Sequence, residues 1–266
     1  MLKYSMNEVT SIGWPFDRDV EYYSRVGIPA IGLHREKLEA YGADKGLRLV
    51  KDSGLAVACM LSAGGFPLSD RSQWPAKLEE TNRAIEHAAR AGAGCLMLQA
   101  GPPGALSYEE AEPRFLEVLS KVLPEAASHG VRLAVEPNHS LQIELGYMHT
   151  MHDALDLADK VDSLFFTVVC EVNNAWIERR LYENIRTRTR RIGLVQLNDF
   201  KAGTKSTPHR VPMGEGVIPL ERIIRAFHDA GYEGYYDVEV LGPDVEALGY
   251  EETIRRCLDY ICRLPY

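Results

Sequence analysis

No apolar run in this 266-residue sequence approaches the length of about 20 residues that a membrane-spanning helix needs. The amino-terminal segment MLKYSMNEVTS also lacks the basic region and apolar core of a secretory signal. Hydrophobic residues make up 45% and charged residues 26% of the chain, which is the balance of an ordinary globular domain. We therefore expect a soluble, cytoplasmic protein that does not partner a membrane.

Cysteine is scarce and does not occur in a metal-ligand spacing. No two cysteines form a Cys-x-x-Cys pair and their number is odd, which argues against a disulfide framework and against a thiolate metal site. We expect them to be reduced residues of the core. The five are Cys59, Cys95, Cys170, Cys257 and Cys262.

Basic residues are outnumbered by acidic ones, 30 to 38, so the net charge is −8 at pH 7. Nucleic-acid binding needs a basic surface that displaces counterions from phosphates, so no nucleic-acid partner is expected. The local exception is RTRTRR, at residues 186–191. We interpret this run as a solvated helix end.

Short apolar runs alternate with longer amphipathic stretches from one end of the chain to the other. This alternation is typical of repeated βα units, and eight of them predict a closed (β/α)8 TIM barrel of the α/β class. No Pro/Ser-rich linker interrupts the pattern, so residues 1–266 are predicted to form a single domain. The predicted strands are 3–6, 30–33, 56–61, 95–99, 132–136, 165–170, 192–197 and 235–239.

Helix signals between these strands support the same fold. Apolar residues at i, i+3, i+4 and i+7 predict helices around residues 115–122, 220–227 and 254–261. Ser107 and Glu110 form a capping-box pattern before the first of them. Glycines that precede predicted strands are expected to end helices in the left-handed conformation: Gly27, Gly54, Gly92, Gly130 and Gly231.

Four oxygen-bearing side chains stand at or near the ends of four successive predicted strands: Glu136, Glu171, Gln196 and Glu239. Neighbouring strands lie about 4.8 Å apart, so these side chains converge at the barrel mouth. Three carboxylates repel one another there unless a cation holds them. Carboxylate and amide oxygens suit one divalent ion, Mn²⁺, Mg²⁺ or Co²⁺, with Zn²⁺ as a further candidate. The alternative for any single acid at a strand end is a helix cap or an ion-pair partner.

The segments LAVEP, VQLND and HRVPMGEGVIPLERIIRAFHDAGYEGYYDVEV, together with the βα alternation, carry a resemblance to a known family. Over essentially its whole length the chain resembles the xylose isomerase-like TIM barrels, the sugar phosphate isomerase/epimerase superfamily. The resemblance implies one divalent metal ion bound by Glu136, Glu171, Gln196 and Glu239. It also implies that Glu136 and Glu239 are the catalytic acid/base pair.

The chain departs from the family pattern after the sixth predicted strand. The family usually has Asp followed three residues later by His, where this chain has Glu171 and Asn174. Asn174 can hydrogen-bond a substrate hydroxyl, but it cannot carry a proton at neutral pH. His139 is a candidate for the missing proton carrier at the substrate.

Two further residues are candidate substrate contacts. Arg210, in HRVPMGEG, matches a family position that contacts substrate oxygens, and its guanidinium suits a hydroxyl, carboxylate or phosphate. His34 ends the second predicted strand and therefore faces the same mouth. The expected reaction is isomerisation or epimerisation of a sugar or polyhydroxy ketone, by proton transfer through a metal-stabilised enediolate.

Three alternatives stay open from the sequence. The same metal and acids would also serve a lyase, similar to dehydroshikimate dehydratases or to enzymes that cleave 3-keto sugars and C-glycosides. A degenerate metal site would leave a non-catalytic binding subunit. An endonuclease IV-like repair enzyme is disfavoured, because that branch uses several zinc ions bound by histidines. A homo-oligomer is also considered, with the apolar loop LSAGGFPL as a candidate contact.

Overall fold

The apolar runs form the strands of a closed parallel barrel in the computed structural model, which describes residues 2–265. Each of the eight predicted strands overlaps an observed barrel strand, and the fold prediction is confirmed. Two short strands, β8 and β9, form a separate antiparallel pair. The strands are β1 (Tyr4–Asn7), β2 (Ala30–His34), β3 (Ala56–Gly64), β4 (Leu96–Gln99), β5 (Leu133–Glu136), β6 (Phe166–Glu171), β7 (Ile192–Leu197), β8 (Asp199–Phe200), β9 (Arg210–Val211) and β10 (Tyr235–Val238).

The barrel order is β1-β10-β7-β6-β5-β4-β3-β2, and β1 also pairs with β2 to close the ring. Every pair in the ring is parallel, so all eight carboxyl ends meet at one mouth. β5, β6, β7 and β10 are consecutive neighbours around the ring. This adjacency brings together the strand ends that carry the predicted acids and amide.

The helices lie between successive strands or after the last one, and they confirm the three helices predicted from apolar spacing, which are α5, α9 and α11. Ser107 and Glu110 form the predicted capping box at the start of α5. The five glycines expected to end helices all have positive φ angles, from 64° to 79°. The helices are α1 (Phe16–Arg25), α2 (Arg35–Tyr41), α3 (Ala43–Ser53), α4 (Trp74–Ala91), α5 (Tyr108–Ser128), α6 (Met151–Val161), α7 (Val172–Ala175), α8 (Leu181–Arg188), α9 (Leu220–Asp229), α10 (Pro243–Leu248) and α11 (Tyr250–Ile261).

The core has an outer layer, between the strands and the helices, and an inner layer that fills the barrel. Four of the five free cysteines are buried as expected, whereas Cys262 near the carboxyl terminus is exposed. The loop LSAGGFPL is not an exposed contact surface, because Phe66 and Leu68 are fully buried. Within residues 2–265, no helix is both long and apolar enough to cross a membrane. The inner layer consists of Cys59, Leu61, Cys95, Met97, Ala134, Val169 and Leu194.

Candidate active site

A cavity of about 170 Å³ opens at the carboxyl ends of the barrel strands. Its wall includes the ends of β2, β3, β4 and β5 and the segments around β9 and β10. Two of the predicted carboxylates face it together with two of the predicted substrate contacts. The polar side chains in its lining include His34, Ser62, Gln99, Glu136, Arg210 and Glu239.

Arg210 is the cation that contacts the predicted acids. Its Nη1 donates to Oε1 of Glu239 at 2.9 Å and to the carbonyl oxygen of the same residue at 3.2 Å. Its Nη2 lies 3.7 Å from Oε1 of Glu171. Burial alone would lower the pKa of Arg210, but the surrounding carboxylates raise it above its usual value. The guanidinium is therefore a fixed positive charge inside the site.

The hairpin that carries Arg210 is fixed by a buried acid. Asp199, in β8, accepts from the backbone N–H groups of Gly214 and Gly216 through Oδ2, both at 3.0 Å. Its Oδ1 accepts from the backbone of Ile218 at 3.0 Å. A Cβ atom at Gly216 would lie 2.2 Å from this carboxylate, so only glycine fits there. The turn after β9 is thereby held against β8.

Glu136 and Glu239 carry perturbed acidity because they share a poorly solvated space. Burial, followed by the negative charges of Glu239 and Glu171, raises the pKa of Glu136 to about 8. Burial also raises the pKa of Glu239, while Arg210 opposes that rise. At neutral pH, the metal-free site therefore favours a proton on Glu136.

Glu171 caps a helix at the position where the sequence predicted a metal ligand. Its Oε2 accepts from the backbone N–H of Asn174 at 2.9 Å, and its Oε1 accepts from that of Asn173 at 3.2 Å. These N–H groups belong to the first turn of α7 and have no partner within the helix. The side-chain amide of Asn198 also donates to Oε1. The carboxylate is fully buried and well supplied with donors.

Gln196 is buried beside Glu171, its register partner on the neighbouring strand. Its Nε2 donates to Oε2 of Glu239. Its Oε1 has no hydrogen-bond partner within the described residues, although it is buried. A buried amide oxygen without a partner is costly, and a cation would relieve that cost.

The chemistry of these residues fits a divalent metal ion. Three mutually repelling carboxylates and an unpartnered amide oxygen are a hard-cation donor set. Their present side-chain conformations do not form a closed cage, since no group of three His, Cys, Asp or Glu side chains within residues 2–265 is arranged to hold a metal. Glu171 and Glu239 are instead contacted by Arg210.

The structure places two of the four predicted substrate contacts, His34 and Arg210, at the cavity and the other two outside it. His34 lines the cavity, and burial lowers its pKa, so the ring is neutral at pH 7. Asn174 lies outside the lining, and its side-chain amide donates to the carbonyl of Pro137 at 3.1 Å. His139 also lies outside it, and its Nδ1 accepts from the backbone of Leu141 at 3.1 Å.

Ser62 is a cavity residue that the sequence did not reveal. It has a positive φ of 71°, and it lies within a register irregularity between β3 and β4. Its Oγ is 3.4 Å from Nε2 of His34. The buried Arg35 donates from Nε to the carbonyl of Ser62 at 2.7 Å and so supports the strained backbone. No sequence signal marks this position, because serine is not the residue expected at positive φ.

Gln99 and Asn138 are two further polar residues of the lining. Gln99 ends β4 and pairs in register with Glu136, so the rule that located the four strand-end oxygens also points to it. Asn138 is buried, and its Oδ1 lacks a hydrogen-bond partner within the described part of the chain. Both side chains add hydrogen-bonding capacity for a polar ligand.

Comparisons with known proteins agree with the barrel fold. The model of the family described as xylose isomerase-like TIM barrel matches residues 20–261. A curated relative from Escherichia coli, a putative L-ribulose-5-phosphate 3-epimerase, is 25% identical over 195 residues. That match covers 70% of this chain and 66% of the relative, just under two thirds of its length.

Solved structures extend the likeness over the full barrel. The protein SMc04130 of Sinorhizobium meliloti is 28% identical, with a TM-score of 0.91 and 98% of each chain covered. The IolI protein, solved with a bound zinc atom, is 18% identical, with a TM-score of 0.85. That match covers 99% of this chain and 98% of IolI, and at this identity it shows a shared fold.

Proposed function

Because this chain belongs to the xylose isomerase-like TIM barrel family, we propose that it is a divalent-metal-dependent isomerase or epimerase of a sugar or related hydroxy-ketone. The observation that carries the proposal is that Glu136 and Glu239 face one small cavity at the barrel mouth. Two carboxyl groups on one cavity can remove a proton from a substrate carbon and return one to another position. The name of the Escherichia coli relative, an epimerase of a ketose phosphate, is consistent with this reaction.

The two acids have different partners in the metal-free site. Glu136 has a pKa of about 8 and holds a proton at neutral pH in the metal-free site. Glu239 accepts from Arg210 and Gln196, and these donors favour its ionised form. Together the two residues form the proposed acid/base pair: one removes a proton from the substrate and the other returns one, and the roles exchange in the reverse direction.

The metal ligands in this proposal are Glu136, Glu171, Gln196 and Glu239. Oxygen donors of this kind suit Mn²⁺, Mg²⁺ or Co²⁺, and the zinc atom of IolI is consistent with Zn²⁺ as a further candidate. When bound, the ion acts as a Lewis acid that stabilises negative charge on substrate oxygens during proton removal.

The remaining cavity residues orient the substrate. The neutral His34 and the hydroxyl of Ser62 lie together on the wall built by β2 and β3. Arg210 offers an Nε that is buried and has no hydrogen-bond partner within residues 2–265. These groups suit the hydroxyl and carbonyl oxygens of a small polyhydroxy ketone. Asn174 and His139 would contact the substrate only after breaking their present hydrogen bonds to the backbone.

Solvent isotope exchange tests the proposal without knowledge of the product. The protein is loaded with Mn²⁺ and incubated in D₂O with a panel of ketoses and ketose 5-phosphates, and mass spectrometry and NMR monitor the carbons beside the carbonyl. Deuterium incorporation at such a carbon is the expected result. Glu239→Gln should abolish it with the fold intact, whereas Glu21→Gln, at an exposed position, should leave it unchanged.

The same experiment separates the rival reactions. Loss of water, or of another group β to the carbonyl, would identify a lyase. Failure of the folded protein to retain a divalent ion, together with no exchange on any member of the panel, would argue for a non-catalytic binding subunit. Full exchange in Glu239→Gln would remove that residue from the catalytic pair.

A further inference from the structure

A second cavity, of about 410 Å³, opens at the opposite end of the barrel. Its lining comes from residues at or near the amino ends of β1, β3, β4, β5, β7 and β10. The inner layer of apolar residues fills the barrel between the two ends. This cavity is therefore separate from the site at the mouth.

Three basic side chains contribute to the lining: Lys3, Arg132 and Arg190. None of them makes a salt bridge with any carboxylate of residues 2–265. Lys3 lies over the ring of Tyr235, with its Nζ 4.2 Å from the ring centre. Nη2 of Arg132 donates to the carbonyl of Gly94 at 3.2 Å, which holds that guanidinium beside the cavity. The three positive charges therefore lie at the cavity, and no carboxylate of the described residues neutralises them through a salt bridge.

The arginine run at 186–191 explains how one of these charges is left without a counterion. Nη1 of Arg188 lies 2.5 Å from Asp156, and Arg191 is 3.1 Å from Asp159. These pairs join the end of α8 to α6 and account for two arginines of the run. Arg190, between them, instead lines the cavity. The run is therefore only partly the solvated helix end expected from the sequence.

The cavity also contains a hydroxyl without a partner. Oγ1 of Thr189 is buried and makes no hydrogen bond within the described residues, and Thr189 is part of the lining. Glu233 is the acid in the lining, so three positive charges face one negative charge. A local charge of this sign is unusual in a chain whose net charge is −8.

We propose that this cavity binds a small anion that carries one or more phosphate groups. Guanidinium groups match phosphate oxygens in geometry and charge, and Lys3 adds a compact positive charge. The Thr189 hydroxyl supplies a hydrogen bond to the same anion. The cavity volume lies within the range of about 300–1,000 Å³ that small-molecule sites have.

Calorimetry with inorganic pyrophosphate and with inorganic phosphate tests the proposal. The titrations use the full chain after metal removal, at a constant ionic strength set with sodium chloride. Pyrophosphate should bind at one site, and Arg190→Gln should weaken it at least about tenfold. Arg132→Gln should weaken it as well.

The matched control is Arg186→Gln, which removes the same charge from the same run at an exposed residue outside the lining. It should change the affinity less than about twofold. Arg190 is also exposed, so its variant should fold and melt like the wild type. The proposal is overturned if the wild type binds no pyrophosphate. It is equally overturned if Arg190→Gln and Arg186→Gln change the affinity for pyrophosphate by the same factor. It is also overturned if Arg210→Gln alone abolishes binding, because the anion would then bind at the mouth.

Discussion

Nη1 of Arg210 lies 2.9 Å from Oε1 of Glu239, so a side-chain cation contacts a carboxylate assigned here as a metal ligand. The same guanidinium reaches Glu171 through Nη2, at 3.7 Å. A divalent ion bound by these carboxylates would therefore be repelled by the guanidinium of Arg210, which already contacts them. Metal binding and the position of Arg210 are coupled, because the two cations share the same counterions.

Arg210→Gln should bind Mn²⁺ more tightly than the wild type, by on the order of tenfold or more, because the competing charge is gone. The metal-free variant should be less stable, since burial leaves Glu136, Glu171 and Glu239 without their positive partner. Calorimetric titration with Mn²⁺ and melting in the presence of a chelator measure the two effects. Arg71→Gln, which removes an exposed ion pair with Glu117, is the control. Unchanged Mn²⁺ affinity would refute the competition.

Glu136→Gln should stabilise the metal-free protein at alkaline pH. The folded pKa of Glu136, about 8, lies above the usual value of 4.5, so the folded state retains a proton that the unfolded state loses. The stability associated with that proton is complete below pH 4.5 and is lost as the pH rises through 8. We expect the variant to exceed the wild type at pH 9 by at least about 1 kcal/mol, or about 2–4 °C in melting temperature.

Melting curves in chelator from pH 5 to pH 9 provide the measurement. The wild type should lose stability more steeply than the variant between about pH 5 and pH 8, where only the folded state still holds the proton. Glu21→Gln serves again as the exposed control and should follow the wild-type profile. Parallel profiles for Glu136→Gln and the wild type would show that Glu136 ionises normally.

Glu171→Ala separates the capping role of this side chain from its proposed metal ligation. In chelator, the variant should lose about 2–4 kcal/mol, because the first N–H groups of α7 and the amide of Asn198 lose their acceptor. Elemental analysis of protein purified without chelator should show less metal than in the wild type. Denaturant unfolding without metal and metal content report the two roles independently. Retained metal with reduced stability would leave Glu171 as a cap alone.

Ser62→Gly should stabilise the protein by about 1 kcal/mol, because glycine adopts a φ of 71° without steric cost. Ser62→Ala is the matched control, since it removes the same hydroxyl and keeps the strained backbone. Urea unfolding of the two variants isolates the backbone contribution. If alanine and glycine have equal effects, the conformation at this position is not strained.

The barrel could be predicted from the sequence because its signals are local and repeated. Apolar runs of strand length, amphipathic spacing and the glycines before strands each depend on residues close in the chain. Strand order in a closed parallel barrel then follows chain order, so Glu136, Glu171, Gln196 and Glu239 could be placed on neighbouring strands.

The contacts that those side chains make could not be predicted, because they depend on rotamers and on partners distant in the chain. Glu171 folds back onto α7, and the sequence FTVVCEVNNAW is equally compatible with a side chain that points to the mouth. Arg210 lies in β9, whose only pairing is with β8 outside the barrel sheet, and no strand-end pattern marks it. The backbone of Ser62 is held by Arg35, which is 27 residues away in the chain.

The carboxylate of Asp199 secures the turn after Arg210, at Gly214, Gly216 and Ile218. Residues 201–209, between β8 and β9, lie outside that set of hydrogen bonds, yet Pro208 borders the cavity. We expect substitutions in this segment to leave the hydrogen bonds of Asp199 intact. A library centred on Pro208, the residue of this segment that borders the cavity, is therefore the natural starting point for changing substrate preference.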